Sequence, residues 1–135
     1  MSLLAYKGFE SDLTCRGFQY EIGKTYTMAG PPEICKHGFH FCRKLIDVLS
    51  YYPMTDIYLY PICTMTNNRY CVVEVIGEID EDNRYDSKGV TNQIKIVREL
   101  TKEEFNKITY KERIERDAIT REILFGNGRY ETNVH

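Results

Sequence analysis

The sequence lacks tryptophan, has only 4 prolines, and contains neither a low-complexity tract nor an apolar run near the roughly 18 residues that span a membrane. Its charges nearly cancel, because 18 Lys and Arg residues stand against 20 Asp and Glu residues for a formal net charge of −2. A chain without a general basic field is not drawn to nucleic acid or to an anionic membrane. The composition therefore predicts a soluble globular protein, with neither a membrane nor a nucleic acid as its partner.

The five cysteines are odd in number and unevenly spaced. The chain also shows no basic start followed by an apolar stretch, which would mark a signal peptide. Both observations predict free thiols in a reducing, cytoplasmic setting. The length of 135 residues predicts one domain, over residues 1–125, followed by a C-terminal tail at 126–135.

Apolar and aromatic patterning predicts short strands at 3–9, 17–20, 38–41, 57–66, 70–76 and within 91–100. The pair Asn67-Asn68 predicts a hairpin between two of these strands, and the continuously apolar run at 70–76 predicts a central strand. Helices are expected at 43–52, from Thr101 with a capping box to Glu104, and at 110–125. Since strands and helices do not alternate strictly, we predict an α+β fold: a mostly antiparallel curled sheet with one central helix and two C-terminal helices.

The segment CKHGFHFC, residues 35–42, carries four side chains of the types that bind zinc: Cys35, His37, His40 and Cys42. In an extended segment the first two face away from the last two. Structural zinc sites also usually draw their ligand pairs from separated segments. The spacing therefore predicts no metal, and these four residues are the candidates if a metal does bind.

A structural role for the same segment fits the pattern better. Phe39 and Phe41 are expected to pack inward, and Cys42 to act as a small apolar residue before the helix. Gly38 is expected where the backbone turns or packs closely. His40 alternates with the phenylalanines, so it faces the opposite side, toward solvent or a cleft.

Several segments taken in order, YKGF, LTCRGFQYEIGKTY, C-x-x-GFHFC, LIDVLSYYP and RYCVVEVIGEI, resemble an uncharacterised domain family of phage, prophage and bacterial proteins. The resemblance covers about Tyr6 to Leu100. It implies a phage or mobile-element origin and an intracellular setting, the host cytoplasm if the chain is phage-encoded. It brings no established activity.

The chain is also similar to ADP-ribosyltransferases in the order of its elements. A first strand carries Tyr6-Lys7-Gly8, and a later strand at 38–41 leads into a helix. Those enzymes have Arg or His where Lys7 stands, and they use a glutamate late in the chain. In this sequence Glu74 or Glu99 would have to take the place of that glutamate. This likeness implies an NAD cleft lined by Lys7, Phe39, His40 and Phe41.

We interpret the chain first as a binding module without catalytic activity or a cofactor, whose partner is an unidentified protein or small molecule. The alternatives are an NAD-binding enzyme like the ADP-ribosyltransferases, and an assembly subunit that forms homo-oligomers through an apolar face on helix 110–124. No catalytic residue is assigned. The predicted ligand-binding residues are Lys7, Arg16, Tyr20, His37, His40 and Glu74.

Overall fold

An antiparallel sheet of seven strands forms the body of the protein in the computed structural model, which describes residues 2–56, 64–82 and 84–125. The strands are β1 (Leu3–Phe9), β2 (Thr14–Cys15), β3 (Phe18–Gln19), β4 (Thr25–Thr27), β5 (Phe39–Cys42), β6 (Thr55–Asp56), β7 (Thr64–Met65), β8 (Arg69–Val75), β9 (Ile79–Glu81), β10 (Lys88–Thr91) and β11 (Gln93–Glu99). The helices are α1 (Leu45–Val48) and α2 (Lys102–Phe125). The large sheet has the order β4-β11-β8-β1-β5-β10-β9, and two small hairpins, β2–β3 and β6–β7, stand beside it.

The centre of the sheet is where the sequence predicted it. Strand β1 pairs with β8 along its whole length, from Leu3 opposite Val75 to Phe9 opposite Arg69. β8 in turn pairs with β11, so it is a central strand with neighbours on both sides. The mixed architecture with a mostly antiparallel sheet is therefore confirmed.

Alternation along the strands gives the sheet one apolar cluster on each face. One cluster includes Ala5, Phe9, Phe39 and Phe41 with the inward residues of β8 and β11, so the two phenylalanines pack inward as predicted. The other cluster includes Leu45, Val48, Tyr70 and Phe105, and both helices pack on it. Cys42 belongs to this second cluster, as a small buried residue ahead of α1.

The helices differ from the prediction in number and length. α1 covers only four residues of the predicted 43–52, and the two expected C-terminal helices form one continuous helix, α2. Neither Gly nor Pro occurs within α2, so nothing in its sequence ends a helix near residue 109. The predicted capping box is confirmed, since Thr101 N donates to Glu104 Oε1 and Glu104 N donates to Thr101 Oγ1, both at 3.1 Å. In the described part of the chain no helix is long and apolar enough to span a membrane.

The hairpin predicted around Asn67-Asn68 is wrong where the structure describes it. β7 pairs with β6, with Thr55 opposite Met65, and not with β8. The rest of the predicted strand at 57–63 lies outside the described residues, as does the predicted tail at 126–135. Strands β4, β9 and β10 were missed because they are short and lie in segments that read as loops or polar turns.

Candidate functional site

A cleft lies where strands β1 and β5 separate. Their ladder consists of the single pair Tyr6 opposite Cys42, whereas β1 pairs with β8 along all seven of its residues. Beyond this pair the chain of β1 continues to Lys7 and Gly8, and the chain of β5 leads back to His40. The side chains of both strands then line the cleft that opens between them.

The cleft consists of two adjoining pockets, which we name the inner pocket, lined in part by Val48 of α1, and the outer pocket, lined in part by Phe18 of β3. The inner pocket has a volume of about 110 Å³ and mostly apolar walls: Tyr6, Lys7, Gly8, Cys15, Arg16, Cys35, His40, Phe41, Cys42, Val48, Tyr51, Tyr52 and Lys88. The outer pocket has a volume of about 290 Å³ and is lined by Lys7, Cys15, Arg16, Phe18, Tyr20, Met28, Cys35, Lys36, His37, Gly38, Phe39 and His40. The residues that line both pockets mark the junction between them, and three of these residues, Lys7, Arg16 and His40, are basic.

The β2–β3 hairpin brings Arg16 to this junction. Cys15 pairs with Phe18, so Arg16 and Gly17 are the two turn residues, and both have positive φ (53° and 81°). Two consecutive positive φ values are those of a type I′ turn, which suits the twist of a tight hairpin. The turn carries the Arg16 side chain across to β5, where Nη1 lies 3.3 Å from His40 Nε2.

Lys7 is buried although it lines the cleft, with 3% of its surface exposed. Its Nζ donates a hydrogen bond of 2.6 Å to the carbonyl oxygen of His40 and lies 5.2 Å from the ring centroid of Tyr20. The ion pairs of the described residues do not include Lys7. Desolvation lowers the pKa of Lys7; the Cys15 and Cys42 thiols oppose this in part, and the charge of Arg16 adds to it.

His40 is the second group at the junction whose titration is shifted. Desolvation, with the nearby charges of Lys7, Arg16 and Lys88, lowers the pKa of His40 to about 4. The imidazole is therefore neutral at pH 7. Because a guanidinium only donates hydrogen bonds, His40 Nε2 must act as the acceptor toward Arg16, which also requires the neutral form.

Lys88 forms the opposite wall of the inner pocket. Its Nζ lies 5.3 Å from the ring centroid of Tyr51 and 3.6 Å from the Cys35 sulfur. Partial desolvation lowers the pKa of Lys88, but the contacts with Tyr51 and Cys35 outweigh it, so that the pKa is raised and the ammonium is retained. Asp86 accepts a hydrogen bond of 2.6 Å from the Tyr51 hydroxyl but does not itself line either pocket.

The walls are rich in positive charge and poor in negative charge. Lys7, Arg16, Lys36 and Lys88 line the two pockets, and among the lining residues in the described part of the chain there is no Asp or Glu. In a concave, partly desolvated site such an excess of one sign raises the local concentration of the opposite sign. The cleft is thus electrostatically suited to an anion, although the chain as a whole is slightly acidic.

The structure brings five of the six predicted ligand-binding residues together. Lys7, Arg16, Tyr20, His37 and His40 all line the outer pocket. Glu74 does not line either pocket; it lies on β8, where its carboxylate accepts a hydrogen bond from Ser2 Oγ. That the five bind a ligand stays a prediction.

Sequence reasoning missed several lining residues, among them Cys15, Tyr51, Tyr52 and Lys88. Lys88 reaches the cleft because it is opposite Cys42 in the β5–β10 ladder, a pairing between distant segments. In the sequence it stands in a charged stretch that has the pattern of a surface turn. Tyr52 donates a hydrogen bond of 3.3 Å to the Cys15 sulfur, a contact that the sequence pattern does not signal.

The four residues considered for zinc are not gathered into a ligand set. Within the described ranges no group of three or more His, Cys, Asp or Glu side chains is placed to hold a metal ion. His37 Nε2 lies 2.7 Å from the carbonyl oxygen of Ala29. Desolvation, with the charges of Asp86 and Asp47, raises the pKa of the Cys42 thiol to about 12, so the thiol is protonated at neutral pH.

The distal part of α2 is the site predicted for assembly. Tyr110 and Ile114 are 65% and 51% exposed, and Ile119 and Ile123 further along the helix are also exposed. On the face of α2 that meets the body of the protein, the Glu112 carboxylate accepts hydrogen bonds from Leu45 N and Ile46 N at 3.0 and 2.7 Å, which fixes α2 to α1. A homo-oligomer through the exposed part stays a prediction.

The fold and the cleft together define a small α+β domain with a cationic cleft at the junction of two sheet strands. The chain belongs to the family described as Domain of unknown function (DUF7666), whose model matches residues 3–108. Comparisons with curated proteins and with solved structures gave no match. The predicted resemblance to an uncharacterised family is thereby confirmed, whereas its motifs and the phage origin stay predictions.

Proposed function

We propose that this domain is a binding module for a small anionic ligand, which occupies the cleft between β1 and β5. The observation that carries the proposal is the set of three cations, Lys7, Arg16 and Lys88, which line a cleft whose described walls hold no carboxylate and which have no ion pair among the described residues. The fourth lining cation, Lys36, is paired with Glu33 at 3.2 Å. Positive groups that serve only the fold are usually paired with an acid or directed into solvent. A bound anion would supply the missing counter-charge.

The three cations with the best-defined surroundings have different roles in this proposal. Lys7 lies at the base of the junction, where burial strengthens any charge interaction. Arg16, exposed at the hairpin tip, offers a planar fork that suits carboxylates and phosphates. Lys88 faces the junction from β10 and keeps its charge. The intracellular, phage-encoded setting implied by the family resemblance is part of the same proposal.

Pyrophosphate is a suitable first probe, because it is small, multiply charged and without apolar groups. We expect it to raise the melting temperature more than NaCl of equal ionic strength does. It should also slow the alkylation of Cys35 by iodoacetamide, since Cys35 is exposed and lines both pockets. Peptide mass mapping reads the modification at Cys35 itself.

Charge-removing variants decide whether the cleft is responsible. Arg16→Gln and Lys88→Gln are each expected to weaken pyrophosphate binding about tenfold, the equivalent of one charge-assisted hydrogen bond. Lys102→Gln removes the same charge from an exposed position on α2 and should leave the affinity unchanged. Equal affinities in all four proteins, or no protection of Cys35 by pyrophosphate, would contradict the proposal.

The ADP-ribosyltransferase alternative is supported by one observation: Lys7, Phe39, His40 and Phe41 all line the cleft, as that likeness requires. The glutamate it also requires is not among the described lining residues, and Glu99 pairs with Arg69 at 2.7 Å. We therefore propose NAD as a second probe, which should protect Cys35 without release of nicotinamide. Release that is lost in Lys7→Met would instead favour the enzyme.

A further inference from the structure

Lys7 differs from an ordinary structural lysine in what surrounds its nitrogen. Nζ meets a backbone carbonyl oxygen, that of His40, the faces of Phe9 and Tyr20, and the Cys15 thiol, with no carboxylate among its described partners. A neutral amine that donates one N–H to this carbonyl still has its lone pair free. Lys7 also lines both pockets, so a small molecule in either pocket lies beside this residue.

We infer that Lys7 is a nucleophile that forms a Schiff base with a small oxo acid bound in the cleft. The inference rests on the proposed function, because Arg16 and Lys88 are the groups that would hold the carboxylate of the oxo acid. Lys7 then faces the carbonyl carbon, which is adjacent to the carboxylate in an α-oxo acid. Neither the fold nor the family match assigns such chemistry.

The reaction balances without any further reagent. The Nζ lone pair attacks the carbonyl carbon, a C–N bond forms, and the carbonyl oxygen leaves as water with the two hydrogens of the amine. The product is an imine between Nζ and the former carbonyl carbon. A lysine must be unprotonated for the first step, and desolvation next to another cation is a known way of favouring that form.

Both features that this chemistry needs occur at Lys7. Desolvation and the charge of Arg16 lower its pKa, so the neutral amine is more abundant than in an exposed lysine. The outer pocket is open to solvent through residues such as Lys36 and His37, which gives the oxo acid a way in and water a way out. Lys88, whose pKa is raised, stays charged and serves as a binding group instead.

Reductive trapping with pyruvate and sodium cyanoborohydride near neutral pH tests the inference. The hydride adds to the imine carbon and leaves a stable secondary amine, which peptide mass mapping locates on the wild-type chain. We expect Lys7 to be labelled faster than the exposed Lys102, because its lowered pKa leaves a larger fraction of the amine neutral. Excess lactate, which has the carboxylate but no carbonyl, should slow the labelling.

Two variants complete the test. Lys7→Arg keeps the charge but removes the amine and should abolish the fast labelling, whereas Lys102→Arg should not. Since the label is mapped on the wild-type protein, the result does not depend on how well Lys7→Arg folds. Uniform labelling of all lysines, with Lys7 no faster than Lys102, would overturn the inference. If pyrophosphate still protects Cys35 in that case, only the Schiff base is refuted; if it does not, the anion-binding proposal falls as well.

Discussion

Replacing Lys7 with Met should change how the stability of the protein depends on pH. In the unfolded chain the Lys7 ammonium titrates near 10.5, and in the folded protein burial lowers its pKa. Between the two pKa values the unfolded state binds more protons than the folded state, so the free energy of unfolding rises with pH there. Lys7→Met has a side chain of similar length and no proton to exchange, and it should lack this rise.

The size of the effect follows from the linkage between protons and folding. One proton contributes a slope of at most about 1.4 kcal/mol per pH unit. The loss of the hydrogen bond from Nζ to His40 O adds a nearly constant offset of about 1 kcal/mol, which does not depend on pH. We therefore expect the stability of the wild type relative to Lys7→Met to increase with pH between the lowered pKa of folded Lys7 and 10.5, whatever the sign of the offset.

Urea unfolding followed by circular dichroism, from about pH 7 to about pH 10, measures this difference. The buried thiols act in the opposite direction, because burial raises the pKa of Cys42 and Cys71 to about 12 and the folded state then holds the extra proton. Both proteins carry these thiols, so their effect cancels in the comparison. Lys102→Met should give a curve parallel to the wild type. A curve for Lys7→Met that is also parallel would refute the reasoning.

Three further predictions concern the fold around the cleft. Gly38→Val should lower the free energy of unfolding by about 1–3 kcal/mol, because φ is +128° and a Cβ would lie 2.9 Å from Thr91 O. The control is Gly17→Asn, which places a side chain in open space at a φ that Asn tolerates. Equal melting temperatures for the two variants would contradict the prediction. The free energy of unfolding of the wild type should fall as the pH falls from 6.5 toward about 4, because His40 is protonated more readily in the unfolded chain than in the folded protein. The free energy of unfolding of His40→Asn should fall less over the same range. Parallel curves of unfolding free energy against pH for the two proteins would argue against a desolvated His40. Thr101→Ala should cost about 1 kcal/mol by removing the cap of α2, whereas Thr120→Ala should change the unfolding midpoint little; equal shifts would show that the cap does not stabilise α2.

The parts of the fold that the sequence predicted are those with a local signal. β1 and β8 have apolar patterns of strand length, and Thr101 with Glu104 has the spacing of a capping box, so their side chains identify them without knowledge of the partners. The prediction of two C-terminal helices in place of α2 is wrong because a local signal was misleading. The apolar pattern changes after Ile108, where the helix leaves its packing surface, and such a change also occurs where a new helix begins.

The candidate site was only partly predictable, because a cleft is made by pairings between distant segments. Lys7 and His40 were predicted to belong to the site because they lie in two polar-tipped segments that flank glycines. Lys88 enters the cleft through the β5–β10 ladder, and no pattern within residues 80–90 indicates which strand β10 will join. Local sequence also did not indicate that β7 would pair with β6, although the Asn67-Asn68 pair has the composition of a turn.

The single pair between β1 and β5 also has a mechanical meaning. On one side of it stand β4, β11, β8 and β1, and on the other β5, β10 and β9. The large sheet therefore consists of two groups of strands whose ladder has a single residue pair, Tyr6 opposite Cys42. Among the strand pairings described, none has fewer paired residues, and the cleft lies along this line. A ligand that contacts both β1 and β5 would add a connection there, so binding should restrict any movement of the two groups of strands against each other.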